Sequence, residues 1–142
     1  MRRPITDFSA AIRALVLAAV PTAGQVDLYD GEVTLTVLRL RVAAWPAIFI
    51  GYRGSEGSEQ GRRRLESLRF TITVCTKPAA YEPGLDTGTA AIIDAVLQAL
   101  DGEILFAGGF PLICAPPFVR PEFRPPLYGI ECTARQTYQA KN

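Results

Sequence analysis

The chain contains no histidine. That absence removes the side chain whose ordinary pKa lies nearest neutrality, together with the commonest metal ligand. Serine–histidine and cysteine–histidine nucleophile pairs are therefore excluded within one chain. Cysteine is scarce: Cys75, Cys114 and Cys132 are widely spaced, odd in number and in no CxxC arrangement. Two of them lie in alternating apolar runs and Cys114 in a mixed one, so they are expected to be reduced, buried or half-buried thiols, and a reducing cytosol fits that usage. Charge of one sign is also lacking. The net charge is +1 and the sequence pI is near 7.7, so no global field draws the chain to nucleic acid or to an anionic membrane.

No stretch approaches the roughly 18 uninterrupted apolar residues of a membrane span. The opening MRRPITDFSAAIRALVLAAVP has the basic-then-apolar order of a signal peptide, but Asp7 and Arg13 interrupt it. Ile5, Phe8, Ile12, Leu15 and Val16 follow one helical face, so the segment reads as an amphipathic first helix. Thr6 or Asp7 is its candidate cap, and Pro21 with Gly24 its end.

The 142 residues are 49% hydrophobic and 20% charged, the proportions of one soluble globular domain able to bury a core without disulfides or metals. Gln25–Tyr29 is a short extended segment running into the Asp30-Gly31 turn. Residues 33–42, VTLTVLRLRV, admit two readings: β-branched content favours a strand, whereas Leu35, Leu38, Val42 and Trp45 share one side of a helix. AIFIGY, residues 47–52, is a compact strand signal expected at the centre of a sheet. GSEGSEQGRRR, residues 54–64, has no apolar residue and reads as an exposed loop.

LRFTITVCT, residues 68–76, alternates apolar with polar positions and is the clearest half-buried strand. After the turn-rich KPAAYEPGLDTG comes a second helix over roughly Thr89–Leu100, with the stripe Ile92, Ile93, Val96, Leu97 and Leu100, ended by Asp101-Gly102. Residues 108–126 are too rich in proline for a central strand, and residues 127–138 alternate as a closing strand. The order implies an α+β fold, a small antiparallel or mixed sheet flanked by two main helices packed on one side, in a single domain over residues 1–142.

Motifs that carry chemistry are few. Asp86-Thr87-Gly88 shares its tripeptide with aspartic proteases, but YEPGL precedes it and a helix follows at once. Asp86 or Thr87 then reads as an N-cap, and a dimeric aspartic-type hydrolase using Asp86 is the alternative of another class. Asp27, Asp30 and Glu32 lack the oxygen-ligand spacing of a calcium loop. Gly108-Gly109 and the GSEGSEQG stretch lack the strand-to-helix context that cradles phosphate. No catalytic residue, cofactor or metal follows.

Candidate interaction residues remain. Arg62, Arg63 and Arg64, with Arg69 close behind, form the dense basic cluster, balanced by Glu56, Glu59 and Glu66. Arginine forks suit an acidic partner surface or passing DNA. Arg120 and Arg124 are a weaker version of the same idea among prolines. Phe110, Phe118, Phe123 and Tyr128 alternate with prolines, and a pre-stiffened chain carrying aromatics loses little entropy on docking.

With these residues set out, the chain resembles the tail terminator, or tail completion, family of Mu-like prophages and contractile-tailed phages. The resemblance rests on DLYDGE at 27–32, WPAIFIGYRG at 45–54, a polar loop, RFTITVCT at 69–76, TAAIIDAVLQALDGEIL at 89–105 and the C-terminal strand. It covers nearly the whole length as a match of order, spacing and hydrophobic pattern. It implies that residues 33–42 are helical. It further implies a virion protein without enzymatic activity, assembled in the host bacterial cytoplasm. Such a protein forms a hexameric ring that caps the tail tube, stops its polymerisation and presents a surface for head attachment. The implied partners are further copies of the chain, tail tube and sheath protein, head connector or neck proteins, and DNA as it passes through the ring, with no membrane. A neck or head-to-tail joining protein is the neighbouring alternative.

Overall fold

A computed structural model describes residues 1–77, 87–123 and 126–140. The elements are α1 (Ile5–Ala19), β1 (Gln25–Leu28), α2 (Leu35–Arg41), β2 (Ala47–Gln60), β3 (Arg63–Cys75), α3 (Thr87–Leu100), β4 (Ile113–Cys114), β5 (Phe118–Arg120) and β6 (Leu127–Gln139). The fold is α+β. One mixed six-stranded sheet runs in the order β1-β2-β3-β6-β4, with β5 also on β6. β1 is parallel to β2 and the remaining pairs are antiparallel. No described helix is long and apolar enough to cross a membrane.

Helix α1 buries Phe8, Ile12 and Val16, the spacing expected of one helical stripe. Its cap differs from expectation. Pro4 occupies the N-cap with φ −61° and ψ 151°, no side chain caps the helix, and Thr6 and Asp7 lie inside it. Proline's locked φ and missing N–H suit the chain's entry into a first turn. Asp7 still helps, as an acid in the first turn where the helix dipole favours negative charge. Helix α3 buries Ile93, Val96 and Leu100. Gly102 (φ 80°) follows it, in the left-handed conformation that glycine adopts without steric cost.

Both helices lie on one face of the sheet, where Ile48 and Ile50 of β2, Leu68, Phe70, Ile72 and Val74 of β3, and Ile130 of β6 complete the main core. α2 lies on the other face, so the helices are not all on one side. There Val37 and Leu38 pack against Ala47, Phe49 and Cys75. The strand preference of residues 33–42 is overturned for local reasons. The Thr34 hydroxyl accepts from the Val37 N–H at 3.3 Å, a side-chain cap worth roughly 1 kcal/mol. Downstream, the Gln25 carboxamide accepts from Ala43 and Ala44 (2.6 and 2.9 Å) and donates to the Arg41 carbonyl at 2.9 Å.

The second correction concerns residues 54–64. They are not a loop but the distal half of a hairpin: β2 continues to Gln60, β3 starts at Arg63, and Gly61 turns the chain with φ 67°. Positive φ at the first central residue of a two-residue turn matches the right-handed twist of the flanking strands. β6 lies within the sheet, between β3 and the short β4 and β5. The proline-rich segment supplies those two edge strands, as its prolines require.

Core and surface positions are expected to separate sharply in equilibrium urea unfolding. Ile72 is fully buried in the helix-covered half of β3, so Ile72→Ala should cost about 2–5 kcal/mol. Leu35, 54% exposed on α2, should change stability by no more than about 0.5 kcal/mol when replaced by alanine.

Candidate interaction surface

The distal halves of β2, β3 and β6 form an arm. β3 pairs with β2 from Arg63 to Cys75 and with β6 from Arg63 to Val74, whereas the helices cover only the proximal half. At ~3.3 Å per residue the arm, from Leu68 to the Gly61 turn, extends about 20 Å. β1 engages β2 only from Ala47 to Ile50, and β4 engages β6 only at Cys132 and Thr133. Beyond those points no described strand pairs with the outer edge of β2 from Gly54 to Gln60 or of β6 from Ala134 to Gln139. A register shift between Tyr52 and Gly54 marks where the covered half of β2 ends.

Ladder alternation fixes which backbone groups point outward. Gln60 and Arg63 close the two-residue turn, so Ser55, Gly57 and Glu59 direct their N–H and C=O away from β3. On β6, the Ala140 N–H donates to the Arg62 carbonyl at 2.9 Å, and counting back along the ladder turns Arg135, Thr137 and Gln139 outward.

The arginines divide among different positions. Arg62 is exposed in the hairpin turn and Arg63 begins β3. Arg64 pairs across the hairpin with Glu59 at 3.5 Å, both side chains substantially exposed. Arg69 lies at the arm's base on the face opposite the helices, one position from buried Leu68 and Phe70. Strand alternation puts Arg63 and Arg69 on that same face, about 20 Å apart, and Arg64 on the helix side.

The N-terminal residues fasten the arm to the body. Glu66 is a buried carboxylate gripped by both forks of the Arg2 guanidinium at 2.8 and 2.9 Å and by the Gln136 amide at 2.8 Å. Arg3 adds a backbone donation to Gln136 at 2.9 Å and stacks its guanidinium 3.9 Å from the Phe106 ring centre. Burial pushes the Glu66 carboxyl upward, but the hydrogen bonds from Arg2, Gln136 and Ser55 outweigh it and hold the group below the usual carboxylate range. Glu66 was read from sequence only as a counter-charge to the arginines; its true partner lies 64 residues away.

The proline-aromatic segment folds along its own sheet. Arg120 is engaged on several sides: its guanidinium donates to the Val33 carbonyl at 2.9 Å, meets Glu122 at 2.9 Å and Glu32 at 3.4 Å, and covers the Phe123 ring. It thereby ties β5 to the chain entering α2. Phe123 packs against the smaller core and Tyr128 against the main one. Phe118 lies over Gly129, where any Cβ would collide with its ring. Phe110 and Phe118 stay more than one-third exposed, and Arg135 stacks on Phe110 at 4.9 Å. Arg124 and Asp86 lie outside the described residues; Thr87 is the first residue of α3.

The three early carboxylates diverge: Asp27 accepts from the Gln25 amide, Asp30 from the Tyr52 N–H, and Glu32 pairs with Arg120. A groove of about 260 Å³ opens between that segment and β5, with Phe49, Thr71 and Thr73 on its floor. On its rim Arg120 and Glu32 are engaged with each other at 3.4 Å.

No family model matches the chain, and no curated protein matches it. Among solved structures it is similar to a chain of "Virion of native gene transfer agent (GTA) particle". The two are 17% identical with a TM-score of 0.52, over 93% of this chain and 94% of that one. At that identity the likeness is one of fold.

The clamp has a definite pH signature. A carboxyl held below its ordinary value contributes stability that is fully present above the ordinary carboxylate range and is lost as pH falls through its folded value. Glu66→Gln should therefore cost about 1–2 kcal/mol at neutral pH, between an exposed and a buried pair. The gap from the parent should narrow on acidification below about pH 4, as read by urea unfolding at stepped pH.

Proposed function

We propose that the chain is a structural virion protein of a tailed, phage-like particle: a tail terminator whose copies close into a six-fold ring that caps the tube, stops its polymerisation and offers a surface for head attachment. The observation that carries the reading is the arm, whose two outer edges no described strand covers. Both β2 and β6 run antiparallel to β3, so the free edges run parallel to each other. Rotating a second copy about an axis along the arm sets its β2 edge beside the first copy's β6 edge, in the sense of a parallel ladder. The contact is head to tail, and it closes when the rotation divides a full turn.

Charge supports that pairing, since the β2 edge carries Glu56 and Glu59 while the β6 edge carries Arg135 and no carboxylate. Natural sheets guard free edges with proline, lysine or a covering loop. Residues 54–60 and 134–139 contain no proline or lysine. The GTA virion likeness supports the same class of protein, and in such a ring the exposed Arg62 and Arg63 at the arm tip are available to tube, connector or passing DNA. A neck or head-to-tail joining protein would use the same edges. Binding to purified tail tube protein favours the terminator, and binding only to a head connector favours the neck protein.

Light scattering and electron microscopy of the protein, alone and with tail tube protein, should show rings; monomers under both conditions would end the proposal. Thr137→Pro removes an outward donor and leaves the β3 ladder intact, so it should abolish rings while the far-ultraviolet spectrum and urea midpoint stay near those of the parent.

A further inference from the structure

We propose that Cys114 and Cys132 form an oxidation site: on meeting a small-molecule disulfide they close into a cross-strand disulfide that staples β4 to β6. The two are register partners in the β4–β6 pair. The next residue along, Ala115, donates its N–H to the Glu131 carbonyl at 2.9 Å, so the 115/131 position carries the ladder bond and 114/132 is the alternate position without one. The Cys114 N–H confirms this by turning away to Asp101 Oδ1 at 3.1 Å. At such positions the Cα atoms approach to about 4.5 Å, inside the roughly 4.4–6.8 Å range that a disulfide spans. Both side chains lie toward the main core, which includes Cys132 and has Cys114 packed against it.

The two thiols are unequal in a useful order. Cys114 is half-buried and Cys132 buried, so reagent reaches Cys114 first. Their mutual hydrogen bond lowers the Cys114 thiol, against burial, and raises that of Cys132. Cys114 is thus the attacking sulfur and Cys132 the resolving one. The Cys114 thiolate attacks one sulfur of the reagent disulfide, forming a mixed disulfide and expelling one thiolate. Cys132 then gives its proton to that thiolate and attacks the Cys114 sulfur, expelling the second reagent thiolate, which takes up a solvent proton. Two protein thiols are oxidised and one reagent disulfide is reduced to two thiols. Cys75, in the smaller core on the opposite face with its thiol pushed up to about 12 by burial, has no part in the exchange.

The staple adds a covalent tie to a strap that Leu112 already anchors in the main core. β4 is only the two residues Ile113–Cys114, and backbone bonds from Leu112 to Glu103 at 2.8 Å and from Gly102 to Leu112 at 2.9 Å hold the strap beside the end of α3. Closure removes chain freedom from the unfolded state. It leaves the arm edges untouched, so the inference stands apart from ring formation.

The test incubates the wild-type protein with excess oxidised glutathione under native conditions, then alkylates it and maps peptides. The expected result is loss of two of the three thiols, a 114–132 linked peptide, and a rise in thermal midpoint that dithiothreitol reverses. Cys132→Ser should instead hold glutathione on Cys114, and Cys75→Ser should close as the parent does. Three free thiols after oxidation, a linkage that includes Cys75, or a disulfide between chains would overturn the proposal.

Discussion

The structure depends on the backbone pairing of β3 along both of its sides. β3 has a strand on each flank for almost its whole length, so its N–H and C=O groups are satisfied where helices cover the sheet and where they do not. Each flanking strand must then run as far as β3 does. The cost falls on the outer sides of β2 and β6, where β1, β4 and β5 are too short to follow. A body with a conventional core and an arm with free edges are two consequences of one long central strand. The Arg2–Glu66–Gln136 clamp fastens the arm to the body, where apolar burial no longer does so.

How much of this was legible follows from where the signal resides. The stripes of α1 and α3 and the alternation over residues 68–76 were readable, because each buries one face against one core and hydrophobic period reports burial. Residues 33–42 were not. None of α2 is buried, so the β-branched content dominated the pattern, while the deciding contacts came from Thr34 and from Gln25 upstream. The shared side of Leu35, Leu38, Val42 and Trp45 and the resemblance to the tail terminator family pointed to a helix there, against that content. The stretch 54–64 failed for a related reason. A strand solvated on both faces has the composition of a loop, and its order rests on backbone bonds that leave no mark in side-chain pattern.

The candidate surface was legible in part. Sequence placed arginines at 62–64 near the exposed tip, but proximity along the chain misrepresented Arg69, which a strand carries some 20 Å away. Arg120 looked like an open cation and is instead held by Val33, Glu122, Glu32 and Phe123. The free edges were invisible in sequence, because an edge is defined by which strands stop short. The proposed contact between copies accordingly rests on main-chain geometry more than on side chains that a sequence pattern displays.

The central claim is that the outer edges of β2 and β6 pair with each other between copies. Amide hydrogen exchange read by mass spectrometry, comparing dilute monomer with assembled protein, tests it directly. Assembly should slow exchange at the outward amides of Ser55, Gly57 and Glu59 and of Arg135, Thr137 and Gln139, and leave the amides that already face β3 unchanged. Rings whose arm edges exchange as fast as those of the monomer would contradict it.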